Sequence, residues 1–157
     1  MTVLAVLLPV VVLANGLAAG VLMGTQLGGW PLLAELPADR YVHAHAFFAT
    51  RYDPFMPVCL LVTVLGDAAL AVLAGGPARV LTAVAAVLAA ATVLISLTKN
   101  VPINRWVRTL DPDHLPADFD RHDPRPHWGV WNTLRAALTT LALMANCIAL
   151  GGLVAAA

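Results

Sequence analysis

Apolar residues along this chain fall into four long blocks, about Thr2 to Gly24, Phe55 to Gly75, Arg79 to Thr98 and Trp131 to Ala155. Each is close to the roughly 20 residues that a helix needs to cross about 30 Å of hydrocarbon. Lipid offers no water to a bare amide or carbonyl, so a crossing segment has to close its own backbone hydrogen bonds. The pattern therefore predicts an all-α fold, an integral membrane bundle of four transmembrane helices. Blocks two and three are separated only by a turn around Gly75-Gly76-Pro77, which makes them antiparallel neighbours. The other connections, Thr25 to Pro54 and Lys99 to Val130, are two long loops that the alternation of helices puts on the same side. The reading is one domain over residues 1–157. The first block has neither a basic leader nor a clear small-residue cleavage site, and is read as a retained helix.

Composition strengthens this picture. The chain of 157 residues is 60% hydrophobic and 11% charged, against about 45–50% and 25% in soluble domains. Zero net charge and the lack of a basic run give no electrostatic footprint for nucleic acid. The partners implied are the lipid bilayer and a hydrophobic small molecule, with homo-oligomerisation left open. Of the nine Lys and Arg, Arg79 alone lies on the short-turn side, and the positive-inside rule puts the long loops in the cytoplasm of a cell-membrane protein. Trp30, Trp106, Trp128, Trp131, Tyr41 and Tyr52 sit in or beside those loops, as an interfacial belt would. Cys59 and Cys147 form no CxxC pair and read as small buried hydrophobes.

Candidate chemistry lies in two layers. Asp67 stands about 12 residues into the second block, roughly 18 Å below the loop face; Asn15 and Asn146 reach similar depths, so the three can meet. A carboxyl group there is either a general acid or base at the floor of a pocket or a partner in an interhelical hydrogen bond. Nearer the loop face, Trp128, Asn132, Arg135 and Thr139 share one helical stripe, with Trp131 at i, i+4 to Arg135. Arg135 either snorkels outward or holds an anionic oxygen within the bundle. Asn100 and Asn104 flank Pro102, which is expected to end the third helix, and they either satisfy freed backbone groups or bind a ligand. All five histidines are expected in loops. His43 and His45, with Asp53, suggest an acid–base group or part of a metal site at a pocket mouth, but no full ligand set is present and no metal is assigned.

Asn100-Val-Pro-Ile-Asn104, Leu110-Asp111-Pro112, Trp128-x-x-Trp131-Asn132-x-x-Arg135 and Arg51-Tyr-Asp-Pro-Phe-Met-Pro57 together resemble the DUF1772 (anthrone oxygenase-like) membrane proteins, over essentially the whole chain. The resemblance implies a four-helix membrane fold and a tailoring enzyme of polyketide pathways. Some members oxidise anthrones to anthraquinones with molecular oxygen as co-substrate and no obvious bound cofactor. Other small membrane proteins of such pathways close spiroketal rings by acid–base catalysis. The positions carried over are Asn100, Asn104, Trp131, Asn132 and Arg135. Many relatives have His at the Asn132 position and Thr at the Ala136 position; where that His is the base of an oxygenase, Asn132 does not replace it. The expected activity is cofactor-independent oxygenation (anthrone oxygenase-like) or acid–base cyclisation (spirocyclase-like). Asp67, Arg135, His43 and His45 are the catalytic candidates; Asn100, Asn104, Trp128, Trp131, Asn132, Asn15 and Asp53 are the binding candidates. A non-catalytic membrane carrier or assembly subunit is the alternative.

Overall fold

A computed structural model describes residues 2–155. Seven α-helices follow one another: α1 (Thr2–Gly24), α2 (Trp30–Glu35), α3 (Ala38–Arg51), α4 (Phe55–Leu73), α5 (Gly76–Ile95), α6 (Val101–Val107) and α7 (Arg125–Ala155). There is no strand among the described residues. Helices α1, α4, α5 and α7 form a four-helix ring in which α1 packs on α4 and α7, and α5 closes the other side against the same two. Four apolar helices, each long enough to cross a membrane, make this an integral membrane protein. Leu65, Val72, Val87 and Ile148 point outward from the ring, where lipid is their solvent.

Lipid supplies no hydrophobic drive for helices to associate, so close approach and interhelical hydrogen bonds hold such a ring together. The interior is accordingly small, with Ala18, Ala85, Ala89, Ala142 and Ala149 buried between helices. At Gly66 a Cβ would run into Val11 of α1, so glycine there sets how near α1 and α4 can lie. The α4–α5 turn needs glycine for another reason: Gly76 has φ 56, a region that L side chains rarely adopt.

The predicted blocks are present, but three of the four helices overrun them. The apolar helical stretch from Val3 to Glu35 has 33 residues, Gly76 to Val107 has 32 and Arg125 to Ala155 has 31, whereas Phe55 to Leu73 has 19. At 1.5 Å per residue α4 is about 28 Å long, the thickness of the hydrocarbon, and the others reach about 46–50 Å. The surplus projects beyond the start of α4. There the first long connection and the start of the second fold into a helical cap, with α2, α3 and α6 around a small core of Leu33, Tyr41, Val42, Val107 and Phe119, while residues 108–124 remain a loop apart from one 3-10 turn at Phe119–Arg121. The fourth helix begins at Arg125, not Trp131, because Arg125 is anchored: it pairs with Asp123 and its Nη1 donates to Leu36 O at 2.7 Å.

Pro102 does not end the third span. Ser96–Asn100 forms a π-helical turn, in which Val101 N–H donates to Ser96 O, and α6 continues beyond it. The first span does the same at Thr25–Gly29, where Trp30 N–H donates to Thr25 O just before Pro31. A wider turn moves carbonyls away from a proline ring that has no N–H to offer them, so the helix passes the proline. Cys59 is buried as expected, but Cys147 is exposed on the outward side of α7.

Candidate functional site: a cavity under the helical cap

A cavity of about 630 Å³ lies where the bundle enters the cap, within the size range of small-molecule sites. Every part of the fold around it contributes: Leu22 from α1, His45 and Phe48 from α3, Met56 and Leu60 from α4, Ser96 and Asn100 from the second π turn, Asn104 from α6, and Trp128, Asn132 and Arg135 from α7. Both π turns border it, Thr25 and Gly29 from the first and Ser96, Leu97 and Asn100 from the second. Such turns add a residue to a helical circuit and rotate the helix beyond them, and they recur at functional sites. Leu61 and Leu97 line the cavity while remaining 51% and 61% exposed. The space therefore opens sideways between α4 and the end of α5, toward the lipid.

Its best-defined polar group is a relay on the cap side. Asn104 Oδ1 accepts from Trp128 Nε1 at 2.8 Å and lies 2.9 Å from His45 Nε2. An indole nitrogen can only donate, so the Asn104 amide must turn its oxygen this way. His45 Nε2 then faces an acceptor and must carry the ring proton, which leaves Nδ1 with the lone pair. That Nδ1 is buried and has no protein partner. Burial pushes the imidazole below its ordinary value of 6.5, against a smaller upward pull from Asn104, so the ring is the neutral base at neutral pH. Trp128 and Tyr41 meet the ring edge-on, each at 5.2 Å. Trp30 packs on Trp128 and lies over Gly129, where a Cβ would strike its ring.

Arg135 forms the inner polar end. It is 8% exposed, so it has not snorkelled outward, and its Nη2 comes 4.0 Å from Met56 Sδ. Its Nε has no partner, and no acidic group pairs with it among the described residues. Met56 is the second residue of α4, so this charge sits level with the membrane boundary. Asn132 Nδ2 donates to Gln26 Oε1 at 3.0 Å, and Asn100 Nδ2 donates to Trp128 O at 3.2 Å. Asn100 Oδ1 is buried without a partner.

Several predicted site residues fall elsewhere. His43 and His45 lie on helix α3, not in a loop, and a spacing of two residues turns them about 200° apart: His45 is buried in the cavity wall while His43 is exposed outside it. They do not form a pair that could share a metal. Among the described residues no three His, Cys, Asp or Glu side chains converge on one point. Trp131 also stands outside the cavity, where its Nε1 donates to His127 and Lys99 Nζ lies 5.2 Å from its ring. Asp53 reaches only the mouth, exposed.

Asp67, Asn15 and Asn146 do meet, but not at the cavity floor. Asn146 Nδ2 donates to Asp67 Oδ2 at 3.0 Å across the ring. With its amide turned to suit its neighbours, Asn15 Oδ1 accepts from Asn146 Nδ2 at 3.2 Å and its Nδ2 donates to Thr139 O at 3.3 Å. None of the three lines the cavity. The reason is depth: Asn146 is three turns beyond Arg135 on α7, about 16 Å further into the bundle. Conversely, Gln26, Met56, Arg105 and Arg108 belong to the cavity or its wall and were not singled out from the sequence. The prolines after the two π turns were the available signal, since each marks a helix that must be rearranged to continue.

The class so defined is an integral membrane four-helix bundle with a laterally open, amphipathic cavity beneath a helical cap. The sequence profile of the anthrone oxygenase family matches residues 45–145, more than half of the chain and most of the cavity wall, and the chain belongs to that family. No curated protein and no solved structure is significantly similar to it.

Proposed function

We propose that the protein is a membrane-embedded tailoring enzyme acting on a hydrophobic, polyketide-like molecule that enters the cavity from the lipid or from the cap side. The observation that carries this reading is the Asn104–His45 relay, a neutral imidazole whose tautomer is fixed, on a residue that lines an apolar cavity together with Arg135. With its ring turned so that the now-buried Nδ1 meets the substrate, His45 removes a proton from an acidic C–H or O–H, and Arg135 holds the oxygen on which the negative charge develops. With an anthrone, the carbanion so formed passes electrons to molecular oxygen and gives a hydroperoxide. Loss of the remaining C–H proton and of hydroxide, which together make one water, leaves the quinone carbonyl; the methylene is oxidised, and dioxygen is reduced to that water and the new oxygen. The family to which the chain belongs favours this reaction.

Acid–base cyclisation uses the same imidazole without oxygen: His45 accepts the proton of an attacking hydroxyl and gives it to a leaving hydroxyl, which departs as water. Eight of nine Lys and Arg lie on the cap side, which supports a cytoplasmic cap. The test is incubation of the protein in nonionic detergent with a tricyclic anthrone, with and without oxygen, against the spontaneous rate. Oxygenation predicts oxygen uptake and quinone formation above background that fall at least about tenfold in His45→Gln. Ring closure of a hydroxyketone without oxygen uptake selects cyclisation. Binding without turnover of either substrate makes the protein a carrier.

A further inference from the structure

Arg135 carries a charge that a pocket for neutral hydrocarbon does not explain. A guanidinium is always charged and carries five N–H donors. Here it is nine-tenths buried, and among the described residues its one polar contact is a thioether and its Nε is unpartnered. A buried charge with nothing opposite it is strongly destabilising unless another group neutralises it. The rest of the cavity deepens the imbalance. Arg105 and Arg108 also line it, while Asp53 is the one acid of the wall, exposed at the mouth and paired with none of them. His45 adds no negative charge. Around this positive end the walls are apolar, from Leu22, Leu60, Phe48 and the Trp128 ring.

We propose that the cavity takes an organic monoanion: a hydrophobic molecule that presents one ionised oxygen, as phenolate, enolate or carboxylate, to Arg135. One buried cation matches one negative charge, and a planar guanidinium matches a carboxylate or a pair of neighbouring oxygens edge to edge. Arg105 and Arg108 at the mouth draw such a ligand in from the interface, where an ionised head and an apolar body place it. The inference rests on the cavity being the ligand site proposed above, but not on turnover.

The test uses a matched pair, anthracene-9-carboxylate and anthracene-9-methanol, which share a ring system and differ in charge. Each is titrated into the purified protein in nonionic detergent at neutral pH, and binding is read from quenching of tryptophan emission. The carboxylate is expected to bind about ten- to a hundredfold tighter, the value of a charge-assisted hydrogen bond. Arg135→Gln should erase that preference and leave the alcohol bound within about twofold. Arg135→Lys, which keeps the charge without the fork, should retain part of it; this variant and the wild-type comparison decide the matter if Arg135→Gln does not fold. Equal affinity for the pair in the wild type, or a preference that survives in folded Arg135→Gln, overturns the proposal while leaving the cavity as a ligand site. Failure of both compounds to bind overturns it together with that site. Phosphatidylglycerol added to the micelles should not displace the carboxylate; if it does, the anion belongs to a lipid headgroup and the small-molecule assignment is wrong.

Discussion

Replacing Asn104 by Ala removes one oxygen and orphans two donors at once. Trp128 Nε1 at 2.8 Å and His45 Nε2 at 2.9 Å both rely on Asn104 Oδ1, and both side chains are buried. A buried donor left without an acceptor costs about 1–3 kcal/mol, so the pair amounts to about 2–6 kcal/mol, less whatever a water entering from the cavity recovers. Against a total stability of about 5–15 kcal/mol that is a large share. The substitution also frees His45 to put its proton on either nitrogen. Equilibrium unfolding in mixed micelles, followed by helix ellipticity, measures the first effect. Nitrogen-15 spectra of labelled histidine, with the His45 signal assigned by its loss in His45→Gln, measure the second. Asn104→Asp is the control: it keeps acceptors for both donors and therefore the tautomer, while its charge makes the imidazole more basic. If Asn104→Ala unfolds within about 0.5 kcal/mol of the wild type, and His45 still carries its proton on Nε2 alone, the relay does not exist as described.

Three further outcomes are expected. His45 is held below 6.5 in the folded protein, mainly by burial, so the unfolded chain takes up its proton first on acidification; stability should fall as pH drops below about 6.5, with a slope of at most about 1.4 kcal/mol per pH unit from this group, and His45→Gln should flatten that part of the curve. A curve unchanged by His45→Gln would mean the imidazole stays solvated. Gly129→Ala sets a methyl against the Trp30 ring and should cost about 1–3 kcal/mol of overpacking, with a shift in tryptophan emission as Trp30 leaves Trp128; an unaltered spectrum and midpoint would show that Trp30 does not rest there. Asp67→Ala deprives Asn146 of its acceptor and should cost about 1 kcal/mol while cavity ligands bind as before. A folded Asp67→Ala protein that no longer binds them would return Asp67 to the site.

The four spans were legible in the sequence because the bilayer imposes a one-dimensional condition: length and apolarity along a single helix suffice, whatever its neighbours do. The stripe of Trp128, Asn132, Arg135 and Thr139 was legible for a similar reason, since one helical period places it on one side, and all four are buried. The meeting of Asp67, Asn15 and Asn146 followed from counting depth. The features that the sequence alone did not decide depend on several segments at once. Only packing shows that the two connections build a partly helical cap with its own core, that His45 turns inward while His43 faces out, and that Asn104 joins α3 to α7. Each depends on the phase at which a helix docks, and the π turns before Pro31 and Pro102 reset that phase by a residue. Depth along a helix, in turn, could not say that Asp67 and Arg135 belong to different chambers. That separation comes from where α4 begins against α7, and it leaves a buried cation facing a cavity whose one acid among the described residues, Asp53, lies exposed at the mouth.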